Sequence, residues 1–190
     1  MEKYKPKTVW DLKKGDKFVM KYISNEQKQG IDSIISDLEI KTGFERPSQS
    51  IYELAELLGY NVIITDLPKG IKAAVKIQSD NSVRLLLADW DTSQSRMFSL
   101  AHEIGHVILH RETLSKDTYR LEDFGNYNSK ETILQESEAN YFAGCILVPL
   151  KVLSELKNKS DLPINNFIQR VAKYFTVNEI VITKQLEWLN

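Results

Sequence analysis

A single cysteine, Cys145, stands in 190 residues. An intramolecular disulfide is therefore impossible, which excludes a scaffold stapled by oxidised thiols and fits a reducing, cytoplasmic setting. Cys145 falls beside Phe142 and Ile146 in an apolar helical pattern and reads as a small packing residue rather than a nucleophile. No apolar run approaches the roughly 20 residues of a membrane span, and Met1-Glu2-Lys3-Tyr4-Lys5 does not open a signal peptide. An excess of one charge is missing too. The 25 Lys and Arg against 26 Asp and Glu leave a net charge of −1, so nothing global draws the chain to nucleic acid or membrane. Histidine is scarce: there are 3 in the chain, and all lie between positions 102 and 110.

Those histidines organise the reading. Met97 to His110 is apolar almost all round at 100° per residue, as suits a helix through a core. The exceptions, Ser99, His102, Glu103, His106 and His110, share a stripe roughly 100° wide. His102-Glu103-x-x-His106 stacks two imidazoles one turn apart, where they can grip one zinc ion. Glu103 points beside the metal and can take a proton from a water there, whose pKa a catalytic zinc lowers to about 7. His110 lies eight residues beyond His102, about 12 Å along the helix, too far to join the same ion. It reads either as a cleft residue behind the ligands or as a capping histidine.

A third ligand is needed, and residues 133–149 offer one. Ala139, Phe142, Ala143, Ile146 and Leu147 keep the rhythm of a buried helical face. Glu136 falls about 60° from the centre of that face and Glu138 about 100° away on the opposite flank. A carboxylate directed at the core needs a partner, so Glu136 is the preferred ligand. Asn140, one turn on, is placed to orient that carboxylate. The competing reading leaves both glutamates solvated on an amphipathic helix.

Elsewhere the pattern is architectural. Residues 1–28 hold eight Lys against four acids and read as a basic N-terminal extension, a solvated tail or an arm for a partner. Ile31, Ile34, Ile35 and Leu38 mark a helix closed by Gly43. Ser50-Ile51-Tyr52-Glu53 is a capping box opening a second helix that stops at Gly59. Residues 62–65, 74–77 and 83–87 predict three strands, a small antiparallel sheet that scaffolds the metal helix and whose edge can align an extended peptide. Residues 111–130 predict a long loop, in which Tyr119 or Tyr127 is a candidate hydrogen-bond donor to an oxyanion. Pro149 ends the helix of Glu136. Ile164, Phe167, Ile168, Val171 and Ala172, then Ile180, Val181, Leu186, Trp188 and Leu189, predict a closing helical pair with a helix-turn-helix outline. Its second helix balances Lys184 and Gln185 with Glu179 and Glu187. The basic footprint of a DNA reader is missing, so the pair is expected to pack on the core and direct nucleic-acid binding is not expected.

Arg96 to His110, then Glu136-Ser137-Glu138-Ala139-Asn140-Tyr141-Phe142-Ala143, then Leu147-Val148-Pro149, together resemble the ImmA/IrrE family of bacterial metallopeptidases. The resemblance spans roughly residues 50–190, and Arg-Met-Phe-Ser-Leu-Ala replaces the commoner Arg-Phe-Thr opening. Residues 1–28 lie outside it. The resemblance implies an α+β, mostly helical zincin-like core at 29–150 and a C-terminal helical subdomain at 151–190. It also implies a gluzincin-like zinc site of His102, His106 and Glu136 with Glu103 as general base. Members commonly act in the bacterial cytoplasm on helix-turn-helix repressors of prophages, mobile elements or stress genes. The expected function is therefore a zinc endopeptidase with a specific repressor as its protein substrate. Its rival is a non-proteolytic anti-repressor or antitoxin-like binding protein with a structural zinc. Intact Glu103 argues against that rival, since a structural site has no need of a base and usually has four protein ligands.

Overall fold

The computed structural model describes residues 23–114, 120–121 and 130–189. Helix α1 (Asn25–Thr42) starts at Ser24, whose side chain accepts from the Gln27 backbone while Gln27 returns the bond, and it ends at Gly43 in the left-handed region. Ser24, Gln27 and Lys28 thus belong to this helical element, although the sequence places them in the basic extension; residues 1–22 lie outside the described residues. Helix α2 (Ile51–Leu57) opens with the Ser50–Glu53 capping box and buries Ile51, Leu54 and Ala55. Two orphan donors are satisfied reciprocally at each start, so both short sequence signals act locally.

Strands β1 (Asn61–Thr65), β2 (Ala73–Ile77) and β3 (Val83–Ala88) follow, and a two-residue β4 (Arg120–Leu121) completes the sheet in the order β1-β3-β2-β4. The sheet is mixed, not antiparallel: β1 runs parallel to β3, while β2 is antiparallel to both β3 and β4. From β1 to β3 each strand reverses the direction of the one before it, but β3 inserts between β1 and β2. The Gln78–Ser82 turn folds β3 directly back on β2. The apolar β3, with Val83, Leu85, Leu87 and Ala88 buried, takes the interior, whereas β1 has no fully buried residue and stays at the edge.

Helix α3 (Ser93–Leu109) lies on β2 and β3, and every residue from Met97 to Val107 is buried. A short 3-10 turn (Arg111–Thr113) follows it. Helix α4 (Lys130–Leu147) makes α3's broadest contact and also packs against α1. Pro149 then opens α5 (Leu150–Asn158), a helix not anticipated from the sequence. The closing pair is α6 (Ile164–Phe175) and α7 (Glu179–Trp188), and α7 packs on α4 and α5. Buried Arg46 ties the periphery together. It donates to the carbonyls of Leu147 and Phe175, the last residues of α4 and α6, and to Gln49 O at 2.6 Å. Carbonyls at helix ends have no partner within their helix, which is why a cation serves there. Among the described residues no single helix is long and apolar enough to cross a membrane.

Candidate metal centre

The site is made where α3 crosses α4. A helix-interior glycine costs about 1 kcal/mol relative to alanine, and Gly105 has a packing reason for that cost. A Cβ there would stand 3.0 Å from Phe142 Cδ1 and 3.4 Å from Ala139 Cα. Its absence lets the two backbones approach. His102 and His106, one turn apart on α3, then face Glu136 on α4.

Their ligand atoms converge. His102 Nε2 lies 2.9 Å from His106 Nε2 and 3.1 Å from Glu136 Oε2, and His106 Nε2 lies 3.3 Å from Glu136 Oε1. All three residues are buried, and one ligand atom from each falls within 4.8 Å of the others. Tetrahedral donors about 2.0–2.1 Å from a zinc ion stand about 3.3 Å apart, so these separations are close to what one ion requires.

Proton bookkeeping supports the same fit. Asn140 Oδ1, an acceptor, lies 3.0 Å from His102 Nδ1, so that ring nitrogen donates. The neutral ring then turns the lone pair of Nε2 toward Glu136 Oε2, another acceptor. Two buried acceptors at that distance repel unless a proton or a metal cation lies between them. With no ion bound, protonated His102 and His106 supply that proton: burial raises the Glu136 carboxyl, and the hydrogen bonds and charge of the two rings outweigh it and hold the group well below the usual carboxylate range, whereas a bound cation takes the place of those protons. The donor set of two imidazoles and one carboxylate therefore fits zinc or a similar divalent ion, and the group can hold one.

The other sequence candidates are distributed around this centre. Glu103 is 1% exposed and lies one step round α3 from His102. Asn140, expected to orient Glu136, meets His102 instead, its Oδ1 3.0 Å from Nδ1 of a ring that could hold the ion. His110 is not part of the three-residue group; its Nε2 sits 3.3 Å from Glu138 Oε2. Glu138 is half-buried rather than solvated. Tyr119 and Tyr127 lie outside the described residues. Cys145 is buried, and burial together with the nearby Asp32 carboxylate pushes its thiol up to about 12, away from nucleophilic chemistry at neutral pH. Two residues escaped the sequence reading. Gly105 carried a signal, a glycine within a strongly helical apolar run, whereas Gln27, which meets Glu138 from α1, carried none.

A mixed sheet under a buried HExxH helix, with a glutamate supplied by the next long helix, defines a metallopeptidase-type α+β fold. The chain belongs to the Peptidase_M78 family, described as the IrrE N-terminal-like domain, which it matches over residues 55–187. Among solved structures it is similar to a Mycobacterium tuberculosis transcriptional regulator, with a TM-score of 0.53 and 20% identity. That similarity covers 81% of this chain and 45% of the regulator, so this chain spans less than half the regulator's length, and at this identity the likeness shows the fold alone. No curated protein matches the chain in sequence.

Proposed function

We propose that the protein is a zinc-dependent endopeptidase that cleaves a specific protein partner, a helix-turn-helix transcriptional repressor, in the bacterial cytoplasm. The observation that carries the reading is the convergence of His102, His106 and Glu136 beside a buried glutamate that belongs to no ligand set. Among the described residues the group has three members. Three protein donors suit a catalytic zinc, since structural sites usually close with four.

When bound, zinc supplies Lewis acidity: it polarises the scissile carbonyl and lowers the pKa of a coordinated water. The chain's own residues do the rest. His102 offers Nε2 because Asn140 holds the proton at Nδ1, and Glu136 approaches from the opposite helix. Glu103 accepts the proton of the attacking water at its carboxylate and delivers it to the departing amine nitrogen. The buried walls around Glu103 limit competing water and strengthen each of these interactions. Family membership supports a partner among transcriptional regulators, and a net charge of −1 supports a protein rather than a nucleic acid as substrate.

The test compares wild type with Glu103→Gln in cells by mass spectrometry of new protein N-termini. A new terminus within a repressor, present with wild type and reduced about 10²–10⁴-fold with a zinc-loaded Glu103→Gln protein, is the expected result. Undiminished cleavage by that variant would remove Glu103 from the mechanism. Relief of repression by Glu103→Gln with no new terminus would establish the binding-protein reading instead.

A further inference from the structure

Among the described residues, three polar clusters outside the metal group stand out. Lys72, Asp91 and Ser95 gather at the start of α3, and Arg46 serves the ends of α4 and α6. Both are accounted for by helix termini. The third joins three helices through one carboxylate. Glu138 Oε1 accepts from Gln27 Nε2 of α1 at 2.9 Å, and Glu138 Oε2 lies 3.3 Å from Nε2 of His110, just past the end of α3. The side chains of His110 and Glu138 are 10% and 15% exposed, so the contact is largely shielded from water. Five residues further along, α1 meets α4 again where Tyr141 donates to Asp32 at 3.0 Å.

We propose that Glu138 is a positioning residue for the metal centre: by bridging Gln27 and His110 it fixes the rotation of α4 and so the place of the Glu136 carboxylate. Glu136 and Glu138 stand two residues apart, about 200° round the helix, so one flank of α4 carries the ligand and the other carries the brace. Side chains extend about 5–6 Å from a helix axis, and a 10° rotation moves such a group by about 1 Å. Metal–ligand distances tolerate only about 0.2 Å. A brace on the far flank is therefore a direct control on the ligand. Helix α1 precedes residues 55–187, the part matched to the family, so this chain adds to its metal centre from outside the matched domain.

The proposal rests on the metal-centre reading, and its test reads metal binding rather than peptidase activity. Zinc affinity of the full chain is measured by competition with a chromophoric chelator, and ligand geometry by the visible absorption of the Co²⁺-loaded protein. Glu138→Ala is expected to keep one ion yet bind zinc about tenfold more weakly or worse, with an altered cobalt spectrum, as loss of an outer-shell partner does. His110→Ala is expected to act similarly, and the double variant to lose less than the sum of the two, as residues sharing one network do. Glu138→Gln, which keeps the shape and the bond from Gln27, is expected to restore most of the affinity. Gln27→Ala, at the exposed start of α1, carries the same expectation in milder form should Glu138→Ala fail to fold. Unchanged affinity and an unchanged cobalt spectrum in Glu138→Ala or, in its place, Gln27→Ala would overturn the positioning role while leaving the metal centre intact. A Glu138→Gln protein as impaired as Glu138→Ala would also overturn it. Wild type that takes up neither Zn²⁺ nor Co²⁺ would overturn the metal-centre reading itself.

Discussion

Helix α4 is packed closely at two places, and a glycine serves each. Toward α3 the glycine is Gly105, against Phe142 and Ala139 of α4; toward α7 it is α4's own Gly144, where a Cβ would stand 3.2 Å from Gln185 and from Trp188. The packing device is the same and the polar content is not. At the α7 contact buried Gln185 donates from Nε2 to Val148 O at 2.9 Å, while its Oε1 meets no hydrogen-bond partner. At the α3 contact the Nε2 atoms of two imidazoles and the oxygens of a carboxylate lie within 2.9–3.3 Å of one another. Close helix packing is common to scaffold and site. What separates them is convergence: only at the α3 contact do buried ligand atoms from three residues gather around one place that a cation can fill.

Metal removal gives the largest separation between the two contacts. A ligand present at 100 times its dissociation constant stabilises the folded state by about 2.7 kcal/mol. A chelator should therefore lower the melting temperature of the zinc-loaded wild type by several degrees and leave Glu136→Ala unmoved, as read by thermal unfolding followed by circular dichroism. An equal response in both proteins would mean that the ion binds elsewhere.

The two glycines sharpen the contrast at a smaller scale. Gly105→Ala and Gly144→Ala each overpack a tight contact, at a cost of about 1–3 kcal/mol. Denaturant unfolding should show both losses. Only Gly105→Ala should also weaken zinc binding, because it separates the helices that carry the ligands. Equal zinc affinity in the two variants would break the distinction.

Cys145, buried on α4 near the α7 contact, gives no effect near neutral pH, only one confined to alkaline pH. Its thiol is raised from an unfolded value near 9.0 to about 12. The unfolded chain therefore releases this proton first, so stability is full below about pH 9 and falls as pH climbs toward 12. Cys145→Ala should flatten that alkaline decline and leave peptidase activity at pH 7 unchanged. A slope identical to wild type would assign the decline to other groups.

Much of this organisation is legible in the sequence, for reasons particular to each residue. His102 and His106 share a helical stripe by spacing alone, and Glu136 sits on the shoulder of an apolar face, so helix geometry is enough to suggest that they meet. Ser50 and Gly43 mark helix ends through bonds that span at most four residues, whereas Ser24, which caps α1 in the same way, is hidden in a stretch that reads as a basic extension. The sheet order is different. Alternating hydrophobicity gives strands, but the parallel pairing of β3 with β1 joins segments that are not consecutive in the chain, a property of the assembled layers. Helix α5 places Leu150, Val152, Leu153 and Leu156 against the core within its 9 residues, a run too short for periodicity alone to separate helix from other structure. Arg46 reads as a surface residue until the ends of α4 and α6 arrive beside it from 101 and 129 residues away. Glu138 shows the same limit. Its flank follows from counting residues, while its partners Gln27 and His110 follow only from the packing of three helices.

The central claim is that His102, His106 and Glu136 hold one divalent ion. Elemental analysis of the purified protein, as wild type, Glu136→Ala and Glu138→Ala, tests it most directly. The account predicts about one zinc per chain in wild type, loss of it in Glu136→Ala, and retention in Glu138→Ala. Wild type that stays free of metal after zinc is supplied, or Glu136→Ala that loads as fully as wild type, would contradict it.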